Sequence, residues 1–247
     1  MTDENPMTKA QAATRPALPK RFYEQAVAVE HEDGFAIHLD GRPLRTPAKA
    51  LLILPDAELA DAVAAEWAAQ TEFVDPATMS LTRLANSALD TVAEDPGAVA
   101  QEAARYAGSD LLCYRAEEPD GLVERQNAAW DPILDWARDH LGLRFNLAGG
   151  IVHVSQPDET LARVESILTG YAPLPLAGLH VITTLTGSVV LALAVANGRL
   201  DAETAWSAAF VDEDWQIAHW GADAEAMKRR RAAWRDMEAA ARLARLG

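Results

Sequence analysis

Apolar residues change their spacing once along this chain, at Pro55. Before it, Val27 and Val29, then Phe35, Ile37 and Leu39, alternate with other residues, which is the period of a strand with one buried face. "HEDG" at 31–34 and "DGRP" at 40–43 are turn signals between these runs, and "LLIL" at 51–54 is a third short strand that ends at the proline. A small antiparallel meander is therefore expected over 22–54. After Pro55 the period lengthens: Pro55-Asp56 is a helix-start signal, and Leu59, Val63 and Trp67 recur every four residues on one helical face. Further helices are expected at 76–94, 95–110, 122–142, 158–169, 176–196, 201–220 and 222–245, with Pro132 breaking or kinking the fourth helix and "IVHV" at 151–154 as a short strand. Strands followed by a run of helices indicate an α+β chain, not a doubly wound α/β sheet.

The expected division is a leader over 1–20, a β-rich N-terminal domain with a helix over 21–90, and a larger all-helical C-terminal domain over 91–247, with the boundary somewhere in 75–96. The leader, "MTDENPMTKAQAATRPALPK", has no apolar stretch of the kind a signal peptide needs, and its early Asp3 and Glu4 disfavour a transit peptide. It reads as a disordered segment. No repeat of 20–50 residues is visible.

Charge narrows the choice of partners. The formal net charge is -15, so nucleic acid, which needs clustered positive charge, is not an expected partner. The charge is unevenly spread: from Lys228 onward there are seven basic residues and two acids, a net +5, which leaves -20 on the rest. "KRRR" at 228–231 reads as the solvated part of a last helix, or as a strip for an acidic partner. Cys113 is the single cysteine, so no intramolecular disulfide or multi-thiolate zinc site can form, which fits a reducing compartment. Residues 176–196 carry no formal charge and are long enough to span a bilayer. They also hold His180, three threonines, Ser188 and two glycines between soluble-type helices, so a buried central helix without membrane insertion is expected.

Motifs for chemistry are missing from the sequence. There is no Walker A loop and no GxGxxG, and "TGSVV" around Ser188 is not a nucleophile elbow. His31, His38, His140, His153, His180 and His219 include no pair three or four residues apart, so no helical histidine metal pair forms; neither metal nor cofactor is expected. Cys113, flanked by Leu111, Leu112 and Tyr114, reads as a buried structural thiol. What remains is "VDEDWQIAHWG" at 211–221. On a helix, residues 212, 215, 216, 219 and 220 share one broad face, with Gln216 one turn before Trp220 and Trp215 one turn before His219. Core tryptophans under an acidic edge, an aromatic-plus-acid docking patch, and a carboxylate/His centre of a small-molecule enzyme all fit this spacing.

The ordered set of motifs "LDGRPLRTPAK" (39–49), "AAEWAAQ" (64–70), "DPATMSLTRLANSALD" (75–90), "DLLCYRAEEP" (110–119), "QNAAWDPILDW" (126–136) and "GSVVLALAVANGRLDAETAWSAAFVDEDWQIAHWG" (187–221) resembles the chaperone family that assembles the catalytic head of the F-type ATP synthase. The likeness runs over about 21–225. It implies a protein that is not an enzyme and that transiently binds the free F1 alpha subunit, preventing its aggregation before the alpha-beta ring forms. It also implies a β-rich N-terminal domain and a helical C-terminal domain, and no nucleotide or metal; a monomer is expected, in a bacterial cytoplasmic location equivalent to the mitochondrial matrix. The expected client-binding residues are Asp212, Glu213, Asp214, Gln216 and Trp220. Arg42, Arg45, Trp67 and Arg83 lie in matching motifs; Trp67 is expected in the core and "GRPLRTP" in a turn. The alternatives are a small-molecule enzyme using a carboxylate/His cluster in 211–221 and a permanent structural partner in a larger complex.

Overall fold

The structure is a computed structural model and describes residues 18–150 and 152–246. The leader reading thus falls mostly outside the described residues; Lys20, at its end, already pairs with Phe73. The chain is α+β and divides into two compact units, one of residues 18–44 with 53–79 and one of 45–52 with 80–246. The main change of unit along the chain lies at 79/80, and the helical segment from Ser80 onward goes with the helices that follow.

The first unit is built on strand β2 (Gly34–Leu39), which pairs antiparallel with β1 (Ala26–His31), β3 (Arg42–Pro43) and β4 (Ile53–Leu54). The "DGRP" turn places Asp40 and Gly41 at φ 49° and 77°, as a two-residue hairpin matched to the strand twist requires. Helix α1 (Ala57–Ala68) starts at Asp56, whose carboxylate accepts from the Leu59 amide at 2.9 Å, and it buries Leu59, Ala60, Val63 and Ala64. Trp67 joins the small core of Tyr23, Leu39, Val74 and Met79, and its carbonyl accepts from the Tyr23 hydroxyl at 2.7 Å.

The second unit holds α2 (Ser80–Ser87), which runs on into a wider turn over Ala88–Val92, then α3 (Pro96–Ala104), α4 (Asp120–Trp136), α5 (Asp158–Leu168), α6 (Pro173–Thr186), α7 (Val189–Ala196), α8 (Ala202–Ala209), α9 (Val211–Trp220) and α10 (Ala224–Ala244). A short parallel pair, β5 (Tyr114–Arg115) and β6 (Ala148–Gly149), lies beside them; residues 152–154, expected as a strand, carry none.

The apolar run at 176–196 is two helices, not one. Gly187, at φ 69°, ends α6, and the Ser188 side chain caps α7 by accepting from the Leu191 amide. Helix α7 is the centre of this unit: Val189 through Val195 are fully buried. The buried threonines of α6 satisfy their hydroxyls one turn back, Thr183 on the Leu179 carbonyl and Thr186 on that of Ile182. Among the described residues no helix is long and apolar enough to cross a membrane. Helix α10 lies against α6 at Gly178, where a Cβ would meet the Ala240 carbonyl at 2.5 Å.

Several sequence motifs are internal ties. Arg115 donates to Asn127 and the Leu112 carbonyl, pairs with Asp131 at 2.8 Å, and lies over the buried Trp130. Arg83 and Ser80 of α2 both donate to Asp236 of α10. Arg45 donates to the Lys49 carbonyl and closes the loop that follows it. Asp110, fully buried, accepts from the Leu112 and Val190 amides and from Ser188; burial outweighs these bonds and pushes its carboxyl up to about 6.

Candidate functional site

Residues 201–220, expected as one helix, are split at Phe210, whose φ of -110° and ψ of 22° end α8 and start α9. No glycine or proline marks the break. The Phe210 ring is held instead by Trp206, with centroids 4.4 Å apart, and by the Arg230 guanidinium 4.6 Å above it. Helix α9 therefore opens with Asp212, Glu213 and Asp214 in its first turn, where carboxylates favour the partial positive charge of the unsatisfied amides.

The five expected site residues do not act as one set. Asp212 accepts from Gln126 Nε2 at 2.7 Å; Gln126 is 2% exposed, and its Oε1 accepts from the Ala116 amide. Asp214 accepts from Arg230 Nη1 at 2.5 Å, and that arginine side chain is only 15% exposed. These two carboxylates tie α9 to α4 and α10. Trp215 is tied too. Its ring sits so close to Gly121 of α4 that a Cβ there would lie 2.7 Å from Cη2, and the Arg125 guanidinium is 4.8 Å from its ring centre.

The other three residues face outward. The Glu213 side chain is 59% exposed, with a distant 4.0 Å approach to Arg230. Gln216 is exposed, and Trp220 is 78% exposed, the largest value among the exposed large hydrophobic residues described. All three line a groove of about 320 Å³ between α9 and the first turns of α10, together with Ile217, Asp223, Ala226 and Met227. Asp223 caps α10, accepting from the Ala226 amide at 2.7 Å. The shared face of residues 212, 215, 216, 219 and 220 is thus split between an inner anchoring side and an outer groove side.

The His219 ring lies against that of Trp215, tilted by 33° with centroids 4.3 Å apart, and its Nδ1 donates to the Trp215 carbonyl at 2.8 Å. Neither contact leads to a carboxylate, so the arrangement gives no acid/base dyad. Cys113 is buried, and burial, followed by the nearby Asp110 charge, pushes its thiol up to about 12, far from a nucleophilic thiolate. Among the described residues, one group brings three potential metal ligands within 4.8 Å, His31, Glu32 and Asp33 at the hairpin tip, where Glu32 and Asp33 are exposed.

Gln126, Arg125, Gly121 and Arg230 were not anticipated as parts of this site. Two of them left a signal. Gln126 stands one turn before Trp130 and two before Ile133 on the buried stripe of α4, where a glutamine needs partners. Arg230 is the member of "KRRR" that shares a face of α10 with Trp234, Met237 and Ala241.

The ATP12 chaperone protein family matches residues 20–138, a span that does not include 211–221. The crystal structure of Atp12 from Paracoccus denitrificans is 40% identical, with a TM-score of 0.84, covering 92% of this chain and 98% of that one. A protein from Agrobacterium tumefaciens of known structure is 46% identical, with a TM-score of 0.86, covering 98% of this chain and 91% of that one. The mitochondrial protein atp12 of Schizosaccharomyces pombe is 24% identical over 226 residues, 87% of this chain and 78% of its own.

Proposed function

The chain belongs to the ATP12 chaperone family, and from that premise we propose that it holds the free alpha subunit of the F1 sector of ATP synthase until the alpha-beta ring forms. A ring subunit waiting for its neighbour exposes apolar interface surface, and a protein that covers this surface and then leaves needs a contact of moderate size and mixed polarity. What supports the reading is the outer side of α9, where an exposed Trp220 stands beside Gln216 and Glu213 on a helix whose other side is anchored. Glu213 offers charge to basic groups of the client, and Trp220 offers contact area. No catalytic step is assigned, and the proposed setting is the bacterial cytoplasm, with the protein acting as a monomer.

Co-expression with the alpha subunit tests this. The alpha subunit should stay soluble and co-purify with this protein, and the finished synthase should lack it. Glu213→Lys should weaken the rescue and leave Tm almost unchanged, since exposed pairs contribute about 1 kcal/mol or less. Alpha subunit that aggregates equally with and without this protein would refute the proposal.

A further inference from the structure

The groove beside Trp220 has a composition that selects its occupant. Ile217 and Met227, both half-buried, form an apolar floor, and Trp220 stands exposed as one wall. Its volume of about 320 Å³ is at the small end for ligand clefts, room for one large side chain and its flanks. The exposed charges of the rim are acidic: Glu213, 4.0 Å from Arg230, and Asp223, which also accepts from the Ala226 amide, are both exposed, whereas the mostly buried Arg230 is held by Asp214 and Phe210. The flexible thioether of Met227 and the flat indole adapt to different apolar shapes.

We propose that this groove receives a single aromatic or branched aliphatic side chain from an exposed client segment in which lysine or arginine flanks that anchor. The proposal rests on the client-holding reading and deepens it by naming the recognised chemistry. An acidic flank would face Glu213 and Asp223 with like charge, and a polar anchor would leave the floor of Ile217 and Met227 wet. One anchor with exposed ion pairs also gives a contact that dissociates quickly and weakens with salt, as a transient holder requires.

Fluorescence anisotropy with the full chain and three labelled peptides tests it: Ser-Gly-Lys-Phe-Lys-Gly-Ser, the same with serine for phenylalanine, and the same with glutamate for both lysines. The first should bind at least roughly tenfold tighter than either control and lose affinity at about 0.5 M salt. Ala226→Trp, at an exposed position lining the groove, should abolish this binding with Tm unchanged. The inference is overturned if the three peptides bind alike, if none binds at about 1 mM, or if Ala226→Trp binds as the parent does. Protection of the alpha subunit is read separately. If the parent and Ala226→Trp protect it equally, the client-holding reading stands and the groove assignment falls. If the parent does not protect it, that reading fails, and the peptides still decide what the groove binds.

Discussion

Replacing Gly178 by alanine probes the contact on which α10 is seated. An added Cβ would lie 2.5 Å from the Ala240 carbonyl oxygen, 2.6 Å from the Ala244 nitrogen and 3.1 Å from Leu243 Cβ. Carbon contacts are comfortable at about 3.5 Å, so α6 and α10 must part by nearly ~1 Å. The two nearest atoms are backbone and cannot rotate away as a side chain would. Overpacking of this kind costs about 1–3 kcal/mol, and rigid backbone on the far side puts this case near ~3. Alanine in place of glycine within a helix returns about 1 kcal/mol, leaving a net loss of about 2 kcal/mol. For a chain of this size that lowers Tm by roughly 4–8 °C. Thermal melts followed by circular dichroism measure it. Gly108→Ala is the control, because an added Cβ there meets nothing within 4 Å; it should stay within about 0.5 kcal/mol of the parent. Gly178→Ala melting at or above the parent, with Gly108→Ala unchanged, would refute the close-approach argument.

Three further outcomes are expected. Gln126→Ala leaves the Ala116 amide and the Asp212 carboxylate without their shared partner, a loss of about 2 kcal/mol and roughly 4–8 °C in Tm; a double-mutant cycle with Asp212→Ala should show coupling of about 1 kcal/mol, and zero coupling would contradict the tie. Gly121→Ala drives a Cβ against the Trp215 ring tip, which can swing aside, so Tm should move little while alpha-subunit capture falls several-fold; unchanged capture would mean that α9 is not positioned from α4. Asp110 is raised from 3.8 to about 6, so the folded state binds its proton more tightly than the unfolded state. Its contribution therefore falls as pH rises from about 4 to about 6 and is flat above, a span of about 3 kcal/mol. Relative to the parent, Asp110→Asn should gain stability across that window in urea titrations, and a difference independent of pH would count against the burial argument.

Local signals carried much of the fold. The hairpins of the first unit were legible because side-chain alternation and the Asp40-Gly41 turn depend only on neighbouring residues. The division of 176–196 was written in the chain as well, a helix-ending Gly187 followed by a capping Ser188, but an unbroken apolar run concealed it. The break at Phe210 was not legible. It depends on Trp206 and Arg230 gripping one ring, and Arg230 lies twenty residues further along.

The same distinction applies to "VDEDWQIAHWG". By itself the sequence determined that this segment is helical and that large flat rings lie one turn from polar groups; these follow from helical spacing alone, whereas the placing of its acids in a first turn depends on the break at Phe210. Only the tertiary structure decided which groups remain for a partner. Gln126, 86 residues away, takes Asp212, and Arg230 takes Asp214, while Gly121 and Arg125 hold Trp215. Glu213, Gln216 and Trp220 are left facing the groove. Helical period places side chains around an axis, but the side that faces solvent is set by what packs against the helix, and those residues lie elsewhere in the chain.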